Sequence, residues 1–146
     1  VIIDYAHTPD ALENILGTIN TIRTRNETLI TLLGCGGNRD KEKRPLMGHI
    51  AAKYSDKVIF TSDNPREEDP VQIISQMVLG VSEEHLKKIL KITLREEAIS
   101  MAAQLACNGD VVLIAGKGHE THQEINGHYY PFSDIQVAKK IFLKID

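Results

Sequence analysis

Four short apolar runs, each broken off abruptly by glycines or charged residues, constrain this chain more than any other feature. Val1-Ile2-Ile3 stops at Asp4-Tyr5-Ala6-His7, and Glu27 to Leu33 stops at Gly34-Cys35-Gly36-Gly37. Lys57 to Ser62 stops at Asp63-Asn64-Pro65-Arg66, and Val111 to Ile114 at Ala115-Gly116-Lys117-Gly118-His119-Glu120. Short runs this uniformly apolar read as strands buried on both faces, the pattern of a parallel sheet. The intervening segments have helical spacing. Thr8 is a candidate N-cap, Pro9 occupies a first-turn position that needs no N–H, and Leu12, Ile15, Leu16, Ile19 and Ile22 form one stripe. Further helices are expected from Pro45 to about Tyr54, from Pro70 through Val78, from Glu96 to Cys107, and from a Ser133 cap to about Lys144. Leu90 to Leu94 reads as a short edge strand, and Asn126-Gly127 between Gln123–Ile125 and His128–Tyr130 is a strong hairpin signal.

Strand–helix alternation of this kind predicts a three-layer α/β domain over residues 1–146. Its mostly parallel sheet should have about six strands, with helices on both faces and a C-terminal hairpin. There is no internal repeat or linker. Because the chain opens at Val1, already inside an apolar run, it reads as a piece of a longer protein. The 17 basic and 20 acidic residues are interspersed, for a net charge of −3, so no nucleic-acid footprint is present. No apolar run approaches the roughly 20 residues that span a bilayer. A membrane partner is therefore not expected. Cys35 and Cys107 lie far apart and read as two reduced thiols.

The chemically interesting residues follow the strands. In a parallel sheet the carboxyl ends of the strands share one edge, where ligands bind. Asp4/His7, the Gly34–Arg44 loop, Asp63–Arg66 and Gly116–Glu120 should therefore meet. The glycines do not match a dinucleotide fingerprint, since Gly34-Cys35-Gly36-Gly37-Asn38-Arg39 lacks the last glycine of GxGxxG, and no GxxxxGK[ST] occurs. A zinc site is not expected, because His119 and His122 do not have HExxH spacing. What remains is charge of both signs. Arg39 and Arg66 carry planar forks suited to carboxylates, Asn64 can donate and accept, and Glu120 can accept from an ammonium. Together they suit a zwitterion. Each has a blander reading alone: Arg39 and Arg44 belong to a charged loop whose commoner fate is solvation, and Asn64-Pro65 is a common turn starter.

The four segments, with Lys43-Arg44-Pro45-Leu46-Met47 after the glycine loop, resemble in order the C-terminal domain of the Mur ligases. More narrowly, Asp63-Asn64-Pro65-Arg66 resembles the signature of the branch that adds meso-diaminopimelate to UDP-N-acetylmuramoyl-L-alanyl-D-glutamate in peptidoglycan synthesis. The resemblance covers essentially the whole chain. It implies a Rossmann-like fold and a cytoplasmic, monomeric parent enzyme with an N-terminal UDP-substrate domain and a central ATPase domain, both absent from this chain. ATP and Mg2+ would be bound mainly by that central domain, which would carry the catalytic residues; an acyl phosphate on D-glutamate would then be attacked by the amine of diaminopimelate. The isolated domain would be inactive.

Carried over residue by residue, the resemblance implies that Arg39, Asn64, Arg66, Gly116 and Glu120 bind meso-diaminopimelate, with Asp63 and Pro65 as supports. Asp4, Tyr5 and His7 would lie near the nucleotide, and no metal ligand is implied. Asn38 departs from the Asp common in relatives, an exchange expected to alter loop hydrogen bonding rather than the charge logic. Two other readings stay open at this point: the C-terminal domain of a folylpolyglutamate synthetase-like ligase of the same superfamily, and a non-catalytic amino-acid-binding module.

Overall fold

The computed structural model describes residues 1–24 and 26–143. The elements run β1 (Ile2–Asp4), α1 (Pro9–Ile22), β2 (Leu29–Leu33), α2 (Lys43–Tyr54), β3 (Lys57–Phe60), α3 (Pro70–Val78), a 3-10 turn (Glu83–Lys88), β4 (Ile89–Lys91), α4 (Arg95–Leu105), β5 (Val111–Ala115), β6 (His122–Ile125), β7 (His128–Pro131) and α5 (Asp134–Phe142). The Lys144 end expected for the last helix lies outside the described residues.

β1 to β5 form one parallel sheet in the order β1-β5-β2-β3-β4. Alternate residues of the central strands feed two cores. Leu29, Leu33, Val58, Phe60 and Leu113 face α1, α2 and α3 through Leu12, Leu16, Met47, Ile73 and Met77. Ile30, Leu32, Ile59, Val112 and Ile114 face α4 and α5 through Ala98, Ile99, Ala102 and Ala138. Every residue of β2 is buried, as its unbroken apolar run requires. The caps fall where the sequence places them: Thr8 Oγ1 accepts from the Ala11 N–H at 3.2 Å, and Ser133 Oγ from the Gln136 N–H at 3.3 Å.

The structure differs from the sequence reading at three points. β1 is an edge strand that pairs only with β5, so Val1 and Ile2 stay exposed where a buried strand was expected. The main sheet has five strands against the about six expected, since β6 and β7 form a separate antiparallel ribbon. α2 begins at Lys43, ahead of Pro45, which places Arg44 in its first turn.

Asn126 and Gly127 both have positive φ (51° and 80°), as a two-residue hairpin turn of this hand demands. The ribbon does not float. Ile125 forms a bridge with Arg66. The Arg66 N–H donates to the Glu124 carbonyl at 3.1 Å, and the Asn126 N–H to the Arg66 carbonyl at 2.8 Å. It is a brace for the loop after β3.

Candidate functional site

Because the five sheet strands are parallel, their carboxyl ends converge, and a cavity of about 400 Å³ opens there, a size usual for small-molecule sites. Tyr5, His7, Arg39, Asp63, Asn64, Arg66, Gly116 and Glu120 all line it. Asp4 and Pro65 do not. Asp4 ends β1, where its Oδ2 accepts the Ala6 N–H at 2.8 Å and shapes the turn into Tyr5. Pro65 sits on the reverse of its loop, its carbonyl against Gly37.

Two glycines make the geometry possible. A Cβ on Gly37 would lie 1.8 Å from the Pro65 carbonyl oxygen, so only glycine lets the β2 and β3 loops pass. Gly116 has φ +114° and turns the chain away from β5, its N–H bonded to the Asp4 carbonyl at 3.0 Å. Cys35 also lines the cavity; burial, reinforced by Asp63 and opposed by Arg44, pushes its thiol up to about 12. It stays protonated and is no nucleophile at neutral pH.

Arg66 is the central cation of the loop after β3. Its backbone is left-handed (φ 51°), uncommon for a residue with a long side chain. Nε donates to Glu124 Oε1 at 3.1 Å and Nη1 to the Gly37 carbonyl at 3.0 Å. None of its hydrogen bonds among the described residues uses Nη2. Arg39 is exposed, and among the described residues its side chain is held only by Nη1 to the Asn38 carbonyl at 3.0 Å. The cavity therefore offers two guanidinium groups with donors to spare.

Three charged residues bonded around the cavity are not singled out by the sequence. Lys117, flanked by two glycines in the sequence, is fully buried, with Nζ 3.0 Å from Asn64 Oδ1, 3.1 Å from Glu120 Oε1 and 3.4 Å from Asp63 Oδ1. Its signal was a lysine directly behind a buried strand. Arg44, expected to be solvated, is 1% exposed. Its fork closes on Glu68, Nη1 to Oε1 at 3.0 Å and Nη2 to Oε2 at 2.8 Å, and also holds the Gly36 carbonyl at 2.9 Å. Glu68 in turn accepts the backbone N–H of Asn38, whose φ of 53° asparagine tolerates well. This ties the glycine loop to the loop after β3. Arg44 Nε alone is buried without a hydrogen-bond partner among the described residues. The hydrogen bonds of Arg44 outweigh burial and hold the Glu68 carboxyl down at about 2.

Among the described residues no three His, Cys, Asp or Glu side chains converge as a metal-ligand set. Asp40, Asp63 and Glu120 line the cavity without converging as a set, and two of them are bonded to Lys117, so the residues present do not fit Mg2+. Both cysteines are free. No helix among the described residues is long and apolar enough to cross a membrane.

Residues 1–118 match the family model described as Mur ligase, glutamate ligase domain. Over 141 residues the chain is 53% identical to the UDP-N-acetylmuramoyl-L-alanyl-D-glutamate–2,6-diaminopimelate ligase of Cytophaga hutchinsonii and 55% identical to that of Aquifex aeolicus. Those alignments take in 97% of this chain but only 29% and 28% of the relatives, so the chain spans less than a third of their length. A solved structure of a ligase of the same name superposes with a TM-score of 0.89 at 45% identity, over 97% of this chain and 28% of that one. A murein peptide ligase from Psychrobacter arcticus shares the fold alone, with a TM-score of 0.59 at 15% identity over 80% of this chain and 24% of that one. With four strand-end segments gathered on one cavity and relatives matching across nearly its full length, the chain belongs to the Mur ligase family, as the C-terminal domain of that family's enzymes.

Proposed function

We propose that this chain is the amino-acid-binding domain of an ATP-dependent ligase that adds meso-diaminopimelate to UDP-N-acetylmuramoyl-L-alanyl-D-glutamate in the cytoplasm, and that Arg39, Asn64, Arg66, Gly116 and Glu120 bind the amino acid. The observation that carries this reading is one cavity with both kinds of receptor: unfilled guanidinium donors on Arg66 and Arg39, and a carboxylate on Glu120. A ligand with carboxylate and ammonium at one end matches both. The relatives at 53% and 55% identity, whose names specify 2,6-diaminopimelate, support the same substrate.

In this reading the UDP-substrate and ATPase domains lie outside the chain. ATP, with Mg2+, supplies the activation of the D-glutamate carboxylate there. This domain holds one end of diaminopimelate so that the amine at the other end faces the activated carboxyl. Such positioning can contribute several kcal/mol by removing the entropy of a bimolecular encounter. Tyr5 and His7, on the rim of the cavity beside the turn after β1, would face the nucleotide side, with Asp4 fixing that turn. Alone, the chain should bind but not ligate.

Specificity follows from Arg66. Lysine lacks the distal carboxylate, which would leave the spare Nη2 donor of the partly buried Arg66 unfilled, and a site built for a polar group rejects analogues lacking it by up to about 10⁴-fold. In the full-length enzyme, Arg66→Ala should therefore cut kcat/KM for meso-diaminopimelate by about 10³-fold or more and narrow the preference over L-lysine. The far-ultraviolet circular dichroism and melting curve should be retained. Wild-type kinetics in this variant would overturn the assignment, as would a parent enzyme that adds glutamate instead.

A further inference from the structure

Lys117 does not line the cavity, but its ammonium reaches three residues that do, Asp63, Asn64 and Glu120. A fully buried ammonium must be compensated, and its three N–H donors are matched by Asn64, Glu120 and Asp63. It has nothing left to offer a substrate. What it does is fix its neighbours. Asn64 Oδ1 accepts both Lys117 Nζ at 3.0 Å and the Glu124 backbone N–H at 3.1 Å, so the amide nitrogen has to point the other way, toward Glu120 at 3.5 Å. Glu120 has Oε1 engaged by Lys117, and no hydrogen bond among the described residues reaches its Oε2. Two carboxylates against one ammonium leave this corner one negative charge, the complement of one incoming ammonium.

We propose that Lys117 is the positioning residue of the amino-acid site: its ammonium locks the amide orientation of Asn64 and holds Glu120 so that Oε2 is presented to the substrate's ammonium. The proposal rests on the function argued above. Without Lys117, Asn64 Oδ1 keeps the Glu124 N–H alone and loses one of its two anchors, and Glu120 Oε1 loses its ammonium partner. The loss falls on binding of the amino acid rather than on the chemical step, because all three donors of Lys117 are spent on Asp63, Asn64 and Glu120.

The test is the Lys117→Met variant of the full-length ligase, which keeps side-chain length and burial but removes the charge. KM for meso-diaminopimelate should rise by about 10- to 100-fold with kcat within about 3-fold, the pattern of lost ground-state binding. KM for ATP and for the UDP-linked dipeptide should not move. Removing a buried cation also leaves Asp63 and Glu120 uncompensated, so the charge-balanced double variant Lys117→Met/Asp63→Asn is measured beside it. It should recover the melting temperature but not the KM, because the methionine donates no hydrogen bond to Asn64 Oδ1 or Glu120 Oε1. Recovery of KM together with stability, or a parallel rise for all three substrates, would show a merely structural lysine and overturn the proposal. A wild-type enzyme that does not use meso-diaminopimelate overturns both readings. A wild-type enzyme that does use it, with an unchanged KM in Lys117→Met, overturns only the role of Lys117.

Discussion

Arg95 and Arg66 brace opposite sides of the loop that follows β3, and each meets a carboxylate, but they are wired differently. Arg95 and Asp134 are both fully buried, joined by two bonds of 2.7 Å, Nε to Oδ1 and Nη2 to Oδ2. The remaining donors of Arg95 reach the Ser62 carbonyl at 3.2 Å and the Ala115 carbonyl at 3.1 Å, the residues just before Asp63 and Gly116. Burial works against the Arg95 charge, and the hydrogen bonds and attraction of Asp134 more than reverse it, so its pKa lies above the usual value. Arg66 is 17% exposed, shares a single 3.1 Å bond with Glu124 and keeps Nη2 unused among the described residues. A guanidinium with every nitrogen engaged is a frame member. One left with a spare donor beside a cavity is a receptor.

The largest expected effect tests the frame. Asp134→Ala strands a fully buried guanidinium, and breaking a buried pair from one side typically costs about 3–5 kcal/mol. Urea denaturation should show that loss, and a change below about 1 kcal/mol would erase the distinction between the two arginines. The next effect tests the receptor. Glu124→Gln keeps the backbone bonds between Arg66 and the β6–β7 ribbon but removes the charged partner of Nε. Its melting temperature should fall by no more than a few degrees, as expected for a partly exposed pair worth at most about 1 kcal/mol, while the KM for meso-diaminopimelate in the full-length enzyme rises about 5-fold. Destabilisation on the scale of Asp134→Ala would mean that Arg66 is frame as well.

Much of this arrangement was legible in the sequence, and the reasons are local. The apolar runs of β2, β3 and β5 and the segments that end them place Arg39, Asn64, Arg66 and Glu120 on one edge because a parallel sheet allows nothing else. Thr8, Ser133 and Asn126-Gly127 act within a few residues of themselves. The partners of buried charges were not legible. Arg44 finds Glu68 24 positions away, Arg95 finds Asp134 39 away, and Lys117 finds Asn64 53 away. Arg95 stands beside Glu96 and Glu97 at the head of an amphipathic helix, which in sequence looks like any solvated face. The exposure of β1 was hidden for a related reason: an edge strand and a central one can carry the same three apolar residues.

The Arg44–Glu68 pair falls between the two arginines and gives the smallest and sharpest test, because Arg44 is 1% exposed while its partner is 20% exposed. The hydrogen bonds of Arg44, opposed by burial and helped by the Asn38 N–H and the charges of Arg44 and Lys41, hold Glu68 at about 2 against an ordinary 4.5. The sign follows from which state takes up the proton first. Between pH 4.5 and about 2 the unfolded chain is protonated at this position and the folded one is not, so acid favours unfolding. The stabilisation is complete above pH 4.5, declines through this window and is gone below about 2. Solvent screening of the exposed carboxylate limits it to the order of 1 kcal/mol. In Glu68→Gln the contribution should be missing at pH 7, and the denaturation midpoint should fall less steeply through the window than in the wild type, the two curves converging near pH 2. Parallel curves from pH 5 to 2 would place the Arg44 fork with the solvated surface charges rather than with the frame that Arg95 represents.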